Sequence, residues 1–300
     1  MADFIKIPFL NPIQVLRTTT DYFAYDLIPQ HEKKINYCQK FQNDDYFTFQ
    51  FRAITGAGYT ATATLKDIYG NVAKTFTITT KLNQIITNYT YFEIRSILTG
   101  ITEGIYYFSL SVTKTGLSTF NFLSEPIYIS ATHENTILLT YSNSVNAFDV
   151  CFDGYYTRSI DFQFRIEGGF TSEGFTPASK DTVYQNQIYD NYLIDSVPFF
   201  TKKLTIGGSI GIPNWTIEKV NRILSCNTIK INNISYCKND GAKLEKLGAD
   251  KFYPFMAWSI EMIESENDYE NTYQDEVIKI IGFNDTAVGR DGVDCYYLNA

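Results

Sequence analysis

The sequence predicts a mainly β protein: an N-terminal immunoglobulin-like β-sandwich, a second β-rich (α+β) domain with one short helix, and an extended C-terminal segment. Three observations lead there. Tyr and Phe each occur 23 times, against two Trp and three Met, and aromatic side chains suit the pleated, half-buried surface of a sheet. Short runs of alternating hydrophobicity, separated by Gly and Asn, succeed one another through the first 130 residues, as in a sandwich. Long runs of Ala, Leu, Glu and Lys, which would argue for a helical bundle, are missing.

Residues 1–45 hold Pro8, Pro12 and Pro29 with few regular periods and read as an N-terminal arm and first strands. The sandwich is assigned to residues 46–130. In 46–54, Phe47, Phe49, Phe51 and Ala53 alternate with Thr48, Gln50 and Arg52, the period of a strand with one buried face. Further strands are expected at 59–65, 72–80, 91–98, 104–113 and 126–130, with turns at Gly56-Ala-Gly58 and Tyr69-Gly-Asn71. The second domain covers 131–263, with strands at 136–141, 148–152 and 159–167. The tetrapeptide Phe162-Gln-Phe-Arg165 repeats Phe49-Gln-Phe-Arg52 and raises the question of internal duplication.

A strand over 203–206 and a Gly207-Gly208 turn lead to a helix over 214–225. Pro213 stands at its start, Asn214 is the expected cap, and Ile217, Val220, Ile223 and Leu224 fall at helical spacing. Asn232-Asn233, between 228–231 and 234–236, suits the positive φ values of a type I′ hairpin. Met256, Trp258, Ile260 and Met262 mark one more one-sided strand. Residues 264–300 form an acidic linker, with Glu264, Glu266, Asp268, Glu270, Asp275 and Glu276, followed by a C-terminal extension.

Three hundred residues allow two ordinary domains or three small ones, and 44% hydrophobic content lets each bury a core. The formal charge of −8 argues against non-specific nucleic-acid binding. Cys38, Cys151, Cys226, Cys237 and Cys295 are odd in number and form no CxxC pair, so free thiols are expected, with no disulfide framework or zinc ribbon. The N-terminal residues show no signal-peptide pattern, and no apolar run approaches the ~20 residues of a membrane span. The Asn88, Asn214, Asn233 and Asn284 sequons therefore read as chance matches in an Asn- and Thr-rich chain.

Candidate chemistry is sparse. His31 and His133 are a hundred residues apart and in no motif, leaving little room for a triad or a zinc site. Asp44-Asp45 reads as a turn, and the acidic run after Glu264 as a solvated face rather than a glycosidase pair. The Asn284-Asp285 and Asp291–Asp294 oxygens lack the order of a calcium loop, and Gly207–Gly211 lacks the Gly-Lys-Ser/Thr of a phosphate loop. No enzymatic activity, cofactor or metal is expected. Candidate interface residues are Tyr155, Tyr156, Tyr184, Tyr189, Tyr192, Tyr269, Tyr273, Tyr296 and Tyr297, in segments that read as loops or ends. Tyr covers large area with few rotatable bonds and is enriched at interfaces; the same rings could stack on sugars.

The runs Ser124–Ser130, His133–Ser144 and Phe162–Gly169 resemble virion proteins of tailed phages that infect gut Bacteroidetes, including the crAss-like group. So do Ser179–Tyr184, Ser196–Pro198, Lys203–Gly207, Gly211–Trp215 and Lys219–Ser225. The resemblance covers roughly residues 1–263 and carries no catalytic signature. It implies a structural tail hub or baseplate component, assembled in the host cytoplasm and located in the virion. It also implies a homo-oligomeric ring and contacts with other tail proteins, without nucleic acid or membrane insertion. The alternative expectation is a receptor- or glycan-binding module of a phage tail or bacterial surface, with a host surface glycan as partner.

Overall fold

The computed structural model describes residues 5–17, 22–23, 37–54, 58–81, 89–116, 119–152, 160–171, 176–209, 211–248 and 255–265. The protein is mainly β. Its first half contains β1 (Ile5–Lys6), β2 (Val15–Arg17), β3 (Tyr22–Phe23), β4 (Gln39–Gln42), β5 (Tyr46–Ile54) and β6 (Tyr59–Asp67). These are followed by β7 (Val72–Phe76), β8 (Ile78–Lys81), β9 (Tyr89–Ile97), β10 (Gly104–Lys114), β11 (Phe120–Ser124) and β12 (Ile127–Ser130). One sheet has the order β1-β5-β9-β8. In the other, β7 pairs with β6 and β6 with β10, while β11 and β12 share the far side of β10. Strand β4 adds in parallel to β12. This is the strand order of an immunoglobulin-type sandwich.

Phenylalanines join the two sheets. Phe47 of β5 stacks on Phe76 of β7 at 4.5 Å and meets Phe108 of β10 at 5.1 Å, and Phe49 meets Phe108 at 4.9 Å. The run 72–80, expected as one strand, is two strands in different sheets, because the chain crosses between them at Thr77. Strand β11 was not expected. It and β12 share β10 with a one-residue offset at Glu125-Pro126. A proline cannot donate to a ladder, and the Ser124 hydroxyl fills in locally by accepting from Phe108 N at 2.8 Å.

Strand β5 is buried on both faces, not on one as its alternation predicts: Thr48, Gln50 and Arg52 are as hidden as the phenylalanines. The N-terminal stretch supplies part of the second cover. Asn11 exchanges two hydrogen bonds with the Gln50 backbone, at 2.7 and 2.8 Å. Residues 149–151 supply the rest: Arg52 pairs with Asp149 at 2.8 Å, and the Gln50 side chain exchanges bonds with the Cys151 backbone. Residues 148–152 are therefore not the expected strand. Phe148 and Asp149 have φ of 52° and 66° in a tight turn closed by an Ala147–Val150 bridge.

The second half contains β13 (Thr136–Ser142), β14 (Phe162–Phe170), β15 (Thr176–Gln185), β16 (Asn191–Ile206), β17 (Ile212–Pro213), α1 (Asn214–Ile223), β18 (Thr228–Ile231), β19 (Ile234–Lys238), β20 (Glu245–Leu247) and β21 (Phe255–Glu264). The antiparallel pairings β13–β14, β14–β16, β16–β21, β21–β19, β19–β18 and β18–β13 close into a small barrel. Closure removes exposed sheet edges. Leu139, Phe164, Ile231, Leu204 and Ile260 point inward and are buried.

Helix α1 buries Trp215, Ile217, Val220 and Ile223. Its cap is Pro213, which makes no side-chain capping bond, rather than the expected Asn214. The hairpin turn at Asn232 and Asn233 has φ of 50° and 71°, as expected.

The two tetrapeptide copies lie in different settings, β5 in the sandwich and β14 in the barrel, yet both end in a buried, ion-paired arginine. Arg165 also marks the junction of the two halves, since Arg165 and Lys40 are register partners of β14 and β4.

Candidate functional site

The feature that stands apart from this packing is the β15–β16 hairpin. Its strands pair from Thr176↔Thr201 to Gln185↔Asn191. Strand β16 joins the barrel from Thr201 onward, through β21 and β14. Ten residues of β15 at ~3.3 Å each make an arm roughly 33 Å long. Local sequence explains why it forms. Thr182, Val183, Tyr184, Tyr192 and Ile194 are strong strand formers. In the turn, the Asn186 carboxamide oxygen accepts from Ile188 N and Asp190 N at 3.0 and 2.9 Å. Asp181 accepts from the Ser196 hydroxyl at 2.6 Å across the ladder, which holds its carboxyl below the usual range.

Alternation along a strand normally sends half of the side chains into a core. Here residues 179–185 and 191–198 are exposed on both faces. Val183 and Tyr184 are just over half exposed, Tyr189 is 80% exposed and Ile188 76%. Tyr192, Leu193, Ile194 and Val197 complete the set. Weighting residue areas of roughly 150–250 Å² by such exposures gives on the order of 1,000 Å² of largely apolar surface. That area is divided between the two faces and the tip, so each face presents roughly half of it, the size of patch that marks an interaction site.

Of the tyrosines predicted as interface residues, Tyr184, Tyr189 and Tyr192 converge on this arm. Tyr189 lies in the turn, as a loop residue, whereas Tyr184 and Tyr192 sit on the two strands as cross-strand partners rather than in loops. Tyr155, Tyr156, Tyr269, Tyr273, Tyr296 and Tyr297 lie outside the described residues. Ile188, Leu193 and Ile194 were missed. The available signal was a strand-forming run on each side of Asn186–Asp190.

His133 Nε2 lies 3.0 Å from Phe41 O with its ring against Tyr128; His31 lies outside the described residues. Asp45 lies in the expected turn, but is buried. It caps the turn at Gln42 N and binds buried Arg165 through both oxygens at 2.7 Å. Cys38, Cys151, Cys226 and Cys237 are free thiols, and no group of three or more His, Cys, Asp or Glu residues is placed to hold a metal among the described residues. A cleft of about 360 Å³ is lined by Lys203 and Lys243 together with Asp240, Glu245 and Glu261, a mixture of both signs with one carboxylate in excess.

One buried polar centre fastens the N-terminal stretch to α1. Lys219, fully buried, donates to Asn11 O at 2.6 Å and Gln14 Oε1 at 3.3 Å beneath the rings of Phe9, Trp215 and Phe164. Burial lowers its ammonium to about 7, opposed by the field of Glu125. Burial also raises the Glu125 carboxyl to about 8, opposed by the bond its Oε2 accepts from Tyr37 N at 2.8 Å. Comparison with known protein families, curated proteins and solved structures found no match.

Proposed function

We propose that this chain is a structural protein of a tailed-phage virion, a tail hub or baseplate component that acts through oligomeric protein–protein interfaces. The observation that carries the reading is the apolar β15–β16 arm, which contributes no side chain to the core between Ser179 and Pro198. A fold has no use for such surface by itself, whereas an assembling subunit does. The sequence resemblance to phage tail proteins supports the particular setting, and the ring and the neighbouring tail proteins belong to the same proposal.

Light scattering of the full chain, alone and with other tail proteins, tests it. The parent is expected to form a defined oligomer. A variant with residues 179–198 replaced by a short Gly-Ser turn is expected to be monomeric and to melt within about 2 °C of the parent, since loss of surface groups costs little. A parent that stays monomeric and joins no tail assembly would refute the proposal.

The second reading, a glycan-binding module, draws on the adjacent exposed rings of Tyr184 and Tyr192. Glycan binding by the full chain that is abolished by Tyr184→Ala and Tyr192→Ala would favour it over assembly.

A further inference from the structure

The arm has two edges, and they are not equivalent. Among the described residues, β15 pairs with β16 alone, and β16 pairs with β15 alone from Asn191 to Phe200. Along β16 this free edge is interrupted by Pro198 and by the extra residue Ile194, around which the register shifts from Thr182↔Asp195 to Val183↔Leu193. Prolines and bulges are the devices that blunt a sheet edge. Along β15 the proline is Pro177, near the base. From Ser179 to Gln185 the outer edge is seven residues of regular strand without proline or bulge of its own, ending beside the apolar tip.

We infer that this edge pairs with the same edge of a second copy of this chain, antiparallel about a two-fold axis at Thr182. The inference rests on the assembly reading above and specifies one two-fold contact within it, distinct from the head-to-tail contacts that would close a ring. Two identical antiparallel strands about a two-fold axis perpendicular to the sheet must place one residue opposite its own copy, because paired side chains share a face. Centring on Lys180 or Asp181 would set identical charges directly opposite one another, which is destabilising. Centring on Thr182 uses the whole stretch from Ser179 to Gln185. It places Thr182 against Thr182, Asp181 against Val183, Lys180 against Tyr184 and Ser179 against Gln185 of the second copy. Each ammonium then lies beside a phenol ring, and each Asp181 keeps its Ser196 bond on the far side. The four-stranded sheet that results carries Tyr184 and Tyr192 of each copy on one face, and Val183 and Leu193 on the other.

The test is cysteine cross-linking of the full chain in a Cys237→Ser, Cys295→Ser background under mild oxidation. Residues opposite each other in an antiparallel pair have Cα atoms ~4.5–5.5 Å apart, within the range of a disulfide. Thr182→Cys is therefore expected to yield a covalent dimer. Ser179→Cys or Gln185→Cys alone, with identical residues ~20 Å apart, should yield at least about tenfold less. An equimolar mixture of those two variants should restore the cross-link. Oligomerisation without preferential Thr182→Cys cross-linking would overturn the register and leave the assembly reading standing. Cross-linking to a different polypeptide only would assign the edge to another partner and overturn the inference. A parent that is monomeric at all concentrations would overturn the inference, and the assembly reading with it only if the parent also joins no tail assembly.

Discussion

Asp45→Asn tests whether the two halves are pinned together by the Asp45–Arg165 pair. Both partners are buried, with side chains 2% and 9% exposed. Arg165 Nε and Nη2 each donate to a carboxylate oxygen at 2.7 Å. Asparagine keeps the shape and one acceptor. The other position becomes an NH₂ facing a guanidinium N–H, so one charge-assisted bond, about 1.5–3 kcal/mol, is lost and the other becomes charge–neutral. The arginine is left as an uncompensated buried cation, and breaking such a pair from one side typically costs about 3–5 kcal/mol. At about 2 °C per kcal/mol for a chain of this size, the melting temperature should fall by about 6–10 °C. Glu218→Gln, which breaks the exposed Arg222–Glu218 pair on α1, is the control and should cost less than about 0.5 kcal/mol. The assay is reversible urea unfolding with a thermal scan. A loss under about 1 kcal/mol for Asp45→Asn, or one equal to the control, would refute the reasoning.

Two further predictions concern the body of the fold. The raised carboxyl of Glu125 stabilises the fold below the unfolded value of 4.5, and this contribution is lost as pH rises through about 8. The lowered ammonium of Lys219 acts oppositely, contributing above 10.5 and losing its effect as pH falls through about 7. Together these two groups favour a dip in melting temperature near neutrality, and Glu125→Gln should flatten the acidic limb and, by removing the field that supports the Lys219 ammonium, start the alkaline limb at lower pH; an unchanged acidic limb would contradict it. Gly168 and Gly169 give a neighbouring contrast at the base of the arm. A Cβ at Gly168 would lie 2.5 Å from Thr205 O, whereas one at Gly169 meets nothing within 4 Å. Gly168→Ala should destabilise by about 1–3 kcal/mol and Gly169→Ala should be neutral or stabilising by up to about 1 kcal/mol, as equilibrium unfolding would show; equal effects would be inconsistent with the close β14–β16 approach.

Strands were legible where a long alternating run met the core, because period 2 is then written into the residues; the five-residue β11 escaped notice although Phe122 and Ser124 are buried. The run 46–54 and the 104–113 strand come from that signal, while the Asn232-Asn233 hairpin and α1 come from turn chemistry and helical spacing, which are equally local. What failed to show was long-range. The second cover on β5 depends on Asn11 and Cys151, 39 and 101 residues away from Gln50, and no local pattern encodes a partner at that distance. The split of 72–80 is invisible because both halves are strand-like and only their sheets differ. Asp45 looked like a turn residue and is one, but its second role needs Arg165, 120 residues on. The arm was missed for the opposite reason: its strands have no buried face, so alternation, the signal that found the others, has nothing to record.

The same contrast separates stability from assembly. Barrel closure removes the edges of the second half's body, and ion pairs, the Lys219 centre and inter-sheet phenylalanines hold that body together without help from the arm. A two-stranded hairpin is at best marginally stable alone in water. This one is held at its tip by Asn186 and midway by the Ser196–Asp181 bond, so its shape is set before any partner arrives. Preorganisation of that kind lowers the ordering entropy that association must offset. It also explains the unequal edges. Pro198 and the Ile194 bulge keep one side of the arm from indiscriminate strand pairing, leaving Ser179–Gln185 as the side where pairing can be specific. Changes there should alter association and leave unfolding almost untouched, the reverse of what Asp45 and Gly168 should do.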